Sequence, residues 1–175
     1  DKPDEADPIK WAEDQYLLGL TLLTTAERSS GTRELSEAVL AFKAALGEWP
    51  QQRNAMRWAI TRSDLGYALA LLGKRQGDVD LLEQAAASCR DALGTFNQNE
   101  TPVLWAGAQH HLGVSLDGLA DLRGDLNLRQ ASVQALERAI AEFKNAGADG
   151  DARKAEVRLR DVTAKLEAET KAAAE

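Results

Sequence analysis

Three stretches of the chain share one pattern: residues 11–19 read WAEDQYLLG, residues 58–66 read WAITRSDLG, and residues 105–113 read WAGAQHHLG. Each begins with Trp-Ala and ends with Leu-Gly, and successive stretches lie 47 residues apart without a gap. A fixed period of this length is the signature of a protein built from structural repeats. The period therefore decides how the rest of the sequence is interpreted.

Each repeat contains two helical segments. In the second repeat Trp58, Leu65, Leu69 and Leu72 recur at the spacing of one face of an α-helix. A glycine bend follows, and a second apolar pattern of helical period begins after it. The first segment of each repeat follows an N-cap residue, namely Asp7, Asn54 or Thr101. The sequence predicts six helices, near residues 8–28, 33–48, 55–74, 79–96, 102–122 and 126–146.

The period continues only in part beyond the third repeat. Leu159 keeps the leucine of the earlier first helices, but Ala152 and Arg160 stand where the tryptophan and the glycine would be. Residues 151–173 are also rich in charge, which is typical of a helix that covers the end of a repeat array and shows a polar outer face. We therefore expect a C-terminal capping helix over this range.

The domain organisation follows from the same period. Residues 1–7 are acidic and contain a proline, and we expect them to form a flexible lead-in. Residues 8–173 are predicted to form a single domain. Its repeats are expected at about residues 8–53, 54–100 and 101–147.

The repeats resemble the tetratricopeptide repeat. That family carries Leu-Gly-x2-Leu in its first helix, as in Leu18 to Leu22, and small-x3-aromatic-x2-Ala in its second, as in Ala38 to Ala45. Ala85 to Ala92 is a weaker version, with Cys89 at the aromatic position. The resemblance covers about residues 9–143. It implies an all-α, right-handed superhelical solenoid of three helical hairpins plus the capping helix.

The sequence departs from that family in three respects. Its period is 47 residues, whereas the usual tetratricopeptide repeat has about 34. The proline that ends the motif is missing from the second and third repeats, and Ser132 and Leu136 are atypical in the third. Armadillo and HEAT arrays, with periods of about 40 to 47 residues, are the structural alternative. The Leu-Gly and small-x3-aromatic patterns favour the tetratricopeptide interpretation. The string Trp-Ala-x2-Gln-x2-Leu-Gly, present in Trp11 to Gly19 and Trp105 to Gly113, resembles the long bacterial form of these repeats.

The repeated glycines and tryptophans are expected to serve packing. Gly19, Gly66 and Gly113 lie inside predicted helices, where glycine costs about 1 kcal/mol relative to alanine. Each is therefore expected to mark the close approach of a neighbouring helix. The repeated tryptophans share a helical face with the leucine of each Leu-Gly pair, so we expect both in the core.

Composition excludes several classes of protein. The chain has 175 residues, of which 44% are hydrophobic, and its 21 Lys and Arg against 28 Asp and Glu leave a net charge of −7. This is too apolar for a disordered segment, and charges interrupt every apolar run that could span a membrane. An acidic surface without a basic cluster argues against nucleic acid as a partner. The single cysteine, Cys89, excludes an internal disulfide and a cysteine-based zinc cluster.

No catalytic or metal-binding constellation is visible. His110 and His111 are the only histidines, and adjacent helical residues point about 100° apart, which prevents them from sharing one metal. Cys89 is expected to be buried and inert, and no glycine-rich phosphate loop is present. We expect a protein that is not an enzyme and has neither a cofactor nor a bound metal.

The family resemblance implies a binding groove. Tetratricopeptide proteins line the concave side of the superhelix with their first helices, and this groove holds an extended peptide or a partner helix. Offsets from the motif glycine transfer the groove positions to this chain. The candidate site is Tyr16, Tyr67, His110 and Asp117, with Glu13, Leu20 and Ser63 as its rim. The recurring Lys and Asn clamp that would read a peptide carboxylate is missing from these positions.

The sequence therefore predicts a non-catalytic protein-protein interaction module whose partner is a neutral or basic protein or peptide. A small-ligand-binding or sensing domain with a closed pocket is one alternative, and a self-association module with an exposed patch at Trp49 and Leu46 is another. We expect a monomer or weak homodimer. The compartment stays open: the cytoplasm is slightly favoured, and a periplasmic or secreted location after signal cleavage is the alternative.

Overall fold

A computed structural model describes residues 7–174, and within this range every regular element is an α-helix. The seven helices are α1 (Pro8–Glu27), α2 (Arg33–Glu48), α3 (Ala55–Gln76), α4 (Val79–Leu93), α5 (Pro102–Arg123), α6 (Leu126–Asn145) and α7 (Asp149–Ala174). The all-α class is confirmed, and each helix lies within three residues of its predicted bounds. The predicted lead-in lies outside the described residues, except for Asp7.

The helix ends follow local chemistry, with one difference from expectation. The carboxylates of Asp7, Asp78 and Asp125 accept hydrogen bonds from free N–H groups in the first turns of α1, α4 and α6. Asn54 and Thr101 occupy the N-cap positions of α3 and α5, but neither side chain makes a cap hydrogen bond. The Thr101 hydroxyl instead bonds the backbone of Asn97.

Helices pack in chain order. Each helix contacts the next one along the sequence, and α3 also packs broadly against α5. The largest apolar cluster lies where α1 to α5 meet, and smaller clusters follow around Phe96 and Phe143. In the part of the chain that is described, no helix is both long and apolar enough to cross a membrane.

The predicted close approaches at the repeated glycines are confirmed. A Cβ built on Gly19 would lie 2.6 Å from the Phe42 ring, one on Gly66 2.5 Å from Cys89 Sγ, and one on Gly113 2.7 Å from Leu136 Cγ. In all three repeats the facing side chain stands at the motif's aromatic position in the second helix. The glycine of each first helix therefore makes room for one defined side chain of its own second helix.

Two glycines of α5 give opposite predictions for alanine substitution. Gly113→Ala forces its new methyl group into Leu136 and is expected to destabilise the fold by about 1–3 kcal/mol. Gly107→Ala meets no atom within 4 Å and is expected to stabilise it by about 0.5–1 kcal/mol, because alanine favours the helix. Urea unfolding of both variants measures whether the free energy of unfolding falls or rises. If both substitutions destabilise the protein, α5 tolerates no added methyl group at either position. The contact with Leu136 would then not explain the effect at Gly113.

Two expectations about the core are wrong. Leu18 is 46% exposed, whereas its equivalent Leu65 is 2% exposed, because no earlier helix packs on that side of α1 in the described chain. Trp49 is buried, so it forms no exposed patch with Leu46 for self-association. The repeated tryptophans, expected in the core, are only half-buried; those of α3 and α5 pack against the Phe96 cluster.

Candidate functional site

The seven predicted site residues do not form one continuous surface. Glu13 and Tyr16 line a pocket between α1 and α3, while Tyr67 and His110 line a second one. Asp117 is buried in a cluster of charges. The other two serve packing: Leu20 is half-buried against the main core, and Ser63 is buried beside His111.

The pocket between α1 and α3, here called the first recess, has a volume of about 270 Å³. Its lining is mostly apolar and consists of Glu13, Tyr16, Leu17, Trp49, Arg57, Ile60 and Thr61. The rings of Tyr16 and Trp49 lie 6.0 Å apart, tilted by 56°. The Arg57 guanidinium lies 5.2 Å from the centre of the Trp49 ring and pairs with Glu13. The two charges at the rim therefore balance each other.

A partly buried hydrogen bond fixes Tyr16 in the first recess. Its hydroxyl donates to Asp64 Oδ2 at 2.9 Å. Burial, followed by the Asp64 charge, raises the pKa of Tyr16. Burial also raises the pKa of Asp64 to about 6, although the hydrogen bond from Tyr16 opposes it. Tyr16 therefore keeps its proton near neutral pH, donates it in the hydrogen bond to Asp64, and forms one wall of the first recess.

The second recess has a volume of about 250 Å³ and draws residues from five helices, one of which, α6, supplies Phe143. Glu27 comes from α1, Tyr67 from α3, His110 from α5 and Lys154 from α7. The same four residues also line an adjoining pocket that runs along α7 past Arg158. This is the place in the described chain where the helices that begin each repeat come together with α7.

Tyr67 and His111 stack in the floor of the second recess. Their rings lie 4.5 Å apart with 15° between the planes, and the Tyr67 hydroxyl donates to Glu27 Oε1 at 2.9 Å. His111 Nδ1 lies 3.0 Å from Ser63 Oγ and 3.2 Å from the Ser63 carbonyl oxygen. Ser63 thus orients the stacked histidine.

Both histidines are held neutral. Burial, together with the positive charge of Arg158, lowers the pKa of His110 to about 4. Burial, together with His110 itself, lowers the pKa of His111 to about 3. Near neutral pH the second recess therefore offers imidazole rings and no imidazolium charge.

The two recesses are the same place in the repeat, two periods of 47 residues apart. Six of the residues that line the first recess have their equivalents, two repeats later, in the lining of the second recess. These equivalents are Gly107, His110, His111, Phe143, Asp151 and Lys154. The sequence periodicity contained this relation, but only the structure indicates that both positions are hollow.

Asp117 lies in a charge cluster formed by Lys74, Asp117, Asp121, Arg129, Lys165 and Glu169. Arg129 is 1% exposed and donates to the carboxylate and the carbonyl oxygen of Asp117, to Asp121 and to Glu169. Burial would raise the pKa of Asp117, but its ion pairs with Lys74 and Lys165 hold that pKa below the usual value. This carboxylate is occupied inside the protein, so Asp117 is not the groove residue that we expected.

Arg129 was not predicted as a site residue from the sequence, although comparison of the three repeats at this position shows that it is unusual. One and two periods earlier the position holds Leu82 and Leu35, both fully buried. An arginine at a core leucine position requires buried acidic partners. Those partners come from α5 and α7.

Comparison with known proteins adds no relative. No protein-family model matches the chain, and neither a curated protein nor a solved structure is significantly similar to it. The two recesses are therefore the features of the molecule that indicate its function. Among the described residues, no group of three or more His, Cys, Asp and Glu lies close enough together to hold a metal ion.

Proposed function

We propose that the chain is a tetratricopeptide-like solenoid and a non-catalytic protein-interaction module, whose partner binds at the second recess. The observation that carries this proposal is the convergence of α1, α3, α5 and α7 on one pocket. A peptide or partner helix lying across these helices would contact Glu27, Tyr67, His110 and Lys154 together. The order of helix packing and the recurring pairing of a glycine with one side chain support the solenoid.

The surroundings of the second recess suggest a partner with both polar and apolar groups. Val103 and Val157 are largely exposed at its edges and offer apolar contact. Glu27, Asp151 and Lys154 surround them with charges of both signs. The chain as a whole carries a net charge of −7, which favours the approach of a neutral or basic partner.

A non-catalytic role fits the state of the reactive groups. Cys89 is buried under Gly66, and burial raises the pKa of its thiol to about 12, so it carries almost no thiolate at neutral pH. His110 and His111 are poor bases because their pKa values are far below neutral.

Binding at the second recess is tested with a double variant, His110→Ala plus Lys154→Ala. In affinity capture from lysate of the source cell, the wild type is expected to retain a partner. The variant is expected to retain at least about ten-fold less of that partner, because two of the four converging contacts are gone. Raising the salt concentration is expected to weaken capture as well. Circular dichroism checks that the variant stays folded.

The matched control is Lys43→Ala plus Gln134→Ala, which removes two exposed side chains from α2 and α6. Capture by this control is expected to equal that of the wild type. Equal losses in both double variants, or no protein retained by the wild type, would contradict binding at the second recess.

A further inference from the structure

The first recess is hollow at a position that is filled in the next repeat. One period later, the corresponding position between α3 and α5 is filled by an apolar cluster in which Leu104 and Ile60 pack with Phe96. Leu104 is the equivalent of Arg57. Arg57 pairs with Glu13 at the rim and places its guanidinium over the Trp49 ring, and the first recess has a volume of about 270 Å³.

The walls of the first recess suit an aromatic ring. Tyr16 and Trp49 supply two tilted ring surfaces, and Ile60 supplies an aliphatic one. An apolar cavity of about 150 Å³ already holds benzene in another protein. The first recess is therefore large enough for one ring with a substituent.

At one position the first recess exposes an apolar side chain where both of its equivalents carry a polar one. Leu17 is 58% exposed there, whereas the corresponding residues of the next two repeats are Asp64 and His111. An exposed leucine beside an apolar pocket gains free energy when a ligand covers it. Since Arg57 and Glu13 already pair with each other, neither rim charge is free to pair with a charged ligand.

Trp49, a wall residue of the first recess, also carries an unused hydrogen-bond donor. Trp49 is buried, and within the described chain its Nε1 has no hydrogen-bond partner. A buried donor without an acceptor costs about 1–3 kcal/mol. A ligand with an acceptor atom could satisfy it after a small movement of the side chain.

We propose that the first recess binds one uncharged aromatic ring, carried either by a small molecule or by a side chain of a partner protein. This proposal rests on the geometry of the first recess alone. It does not require the second recess to bind the partner proposed above.

The direct test follows the Trp49 indole N–H in a ¹H–¹⁵N NMR spectrum, with Trp49→Phe to assign its signal. Benzyl alcohol represents the free ring, N-acetylphenylalanine amide the side chain, and benzoate the charged control. We expect a saturable shift of the Trp49 signal with dissociation constants on the order of millimolar, and at least about ten-fold weaker binding of benzoate.

Two variants copy residues from the next repeat. Arg57→Leu copies Leu104, is expected to fill the first recess, and should weaken binding at least ten-fold. Leu17→Asp copies Asp64 at an exposed position and should weaken binding several-fold without affecting folding. Arg53→Leu, an exposed arginine close in sequence, is the matched control and should bind like the wild type.

Tighter binding of the amide than of benzyl alcohol would identify a protein side chain as the natural occupant, and the reverse order a small molecule. The proposal is overturned if neither probe shifts the Trp49 signal saturably. It is also overturned if benzoate binds equally well, or if Arg57→Leu leaves the affinity unchanged.

Discussion

Arg129→Ala is expected to destabilise the protein by about 3–5 kcal/mol, the largest effect of any single substitution considered. The guanidinium is 1% exposed and bonds Asp117, Asp121 and Glu169. Removing it leaves Asp117 and Asp121 with only Lys74 and Lys165 as ion-pair partners and takes the guanidinium from Glu169, while Asp117 is only 1% exposed to water. Urea unfolding followed by circular dichroism measures the loss.

Arg129→Lys is expected to recover less than half of that loss. One ammonium group cannot reproduce the planar fork that donates to Asp117, Asp121 and Glu169 together. Arg138→Ala, on the exposed face of the same helix, is the control and should change stability by no more than about 0.5 kcal/mol. A loss below about 1 kcal/mol for Arg129→Ala would mean that the cluster is solvated and contributes little.

A compensating pair of substitutions sharpens this test. The second repeat holds Leu82 and Ala70 where the third holds Arg129 and Asp117. Arg129→Leu with Asp117→Ala copies that apolar solution, and replacing a buried ion pair by apolar residues is often neutral or stabilising. We therefore expect the double variant to be more stable than Arg129→Leu alone. If the double variant loses as much stability as Arg129→Leu and Asp117→Ala lose together when measured singly, the two residues do not act as a pair.

The helices could be predicted from the sequence because local chemistry sets them. Spacings of three, four and seven residues identified the helical faces, and glycine bends marked the turns before α4 and α6. Gly77 and Gly124 end α3 and α5 in the left-handed conformation that glycine adopts without strain. Helix α4 ends three residues early because Gly94 interrupts it, although Phe96 beyond it still packs in the core.

The candidate site could be predicted only in part. Tyr67 and His110 do line one pocket, because the first helices α3 and α5 pack against each other. The sequence pattern does not say whether a position between repeats is filled or hollow, since this depends on the size and direction of single side chains such as Arg57 and Leu104. The misplacement of Asp117 has the same origin: its partners Arg129 and Lys165 belong to other helices, and only folding brings them together.

The second of the two largest effects is loss of stability in acid. Between pH 7 and 4 the wild type is expected to lose about 3–4 kcal/mol of unfolding free energy, since one pKa unit corresponds to about 1.4 kcal/mol. The pKa values of His110 and His111 are lowered to about 4 and about 3 in the folded state, so below pH 6.5 the unfolded chain binds protons that the folded protein does not. Asp64 acts in the opposite direction, because its raised pKa of about 6 makes the folded state bind a proton first.

Two substitutions separate these opposing contributions. His111→Gln keeps a polar group beside Ser63 but cannot be protonated, so its stability should fall by about 3 kcal/mol less than that of the wild type between pH 7 and 4. Asp64→Asn keeps an acceptor for Tyr16 and removes the opposing contribution, so its loss over the same interval should be about 2 kcal/mol larger. Urea unfolding at half-unit pH steps measures all three curves. If the stability curves of both variants run parallel to that of the wild type, neither His111 nor Asp64 is desolvated in the folded state. If the two variant curves diverge from the wild-type curve in opposite directions, His111 is neutral in the floor of the second recess.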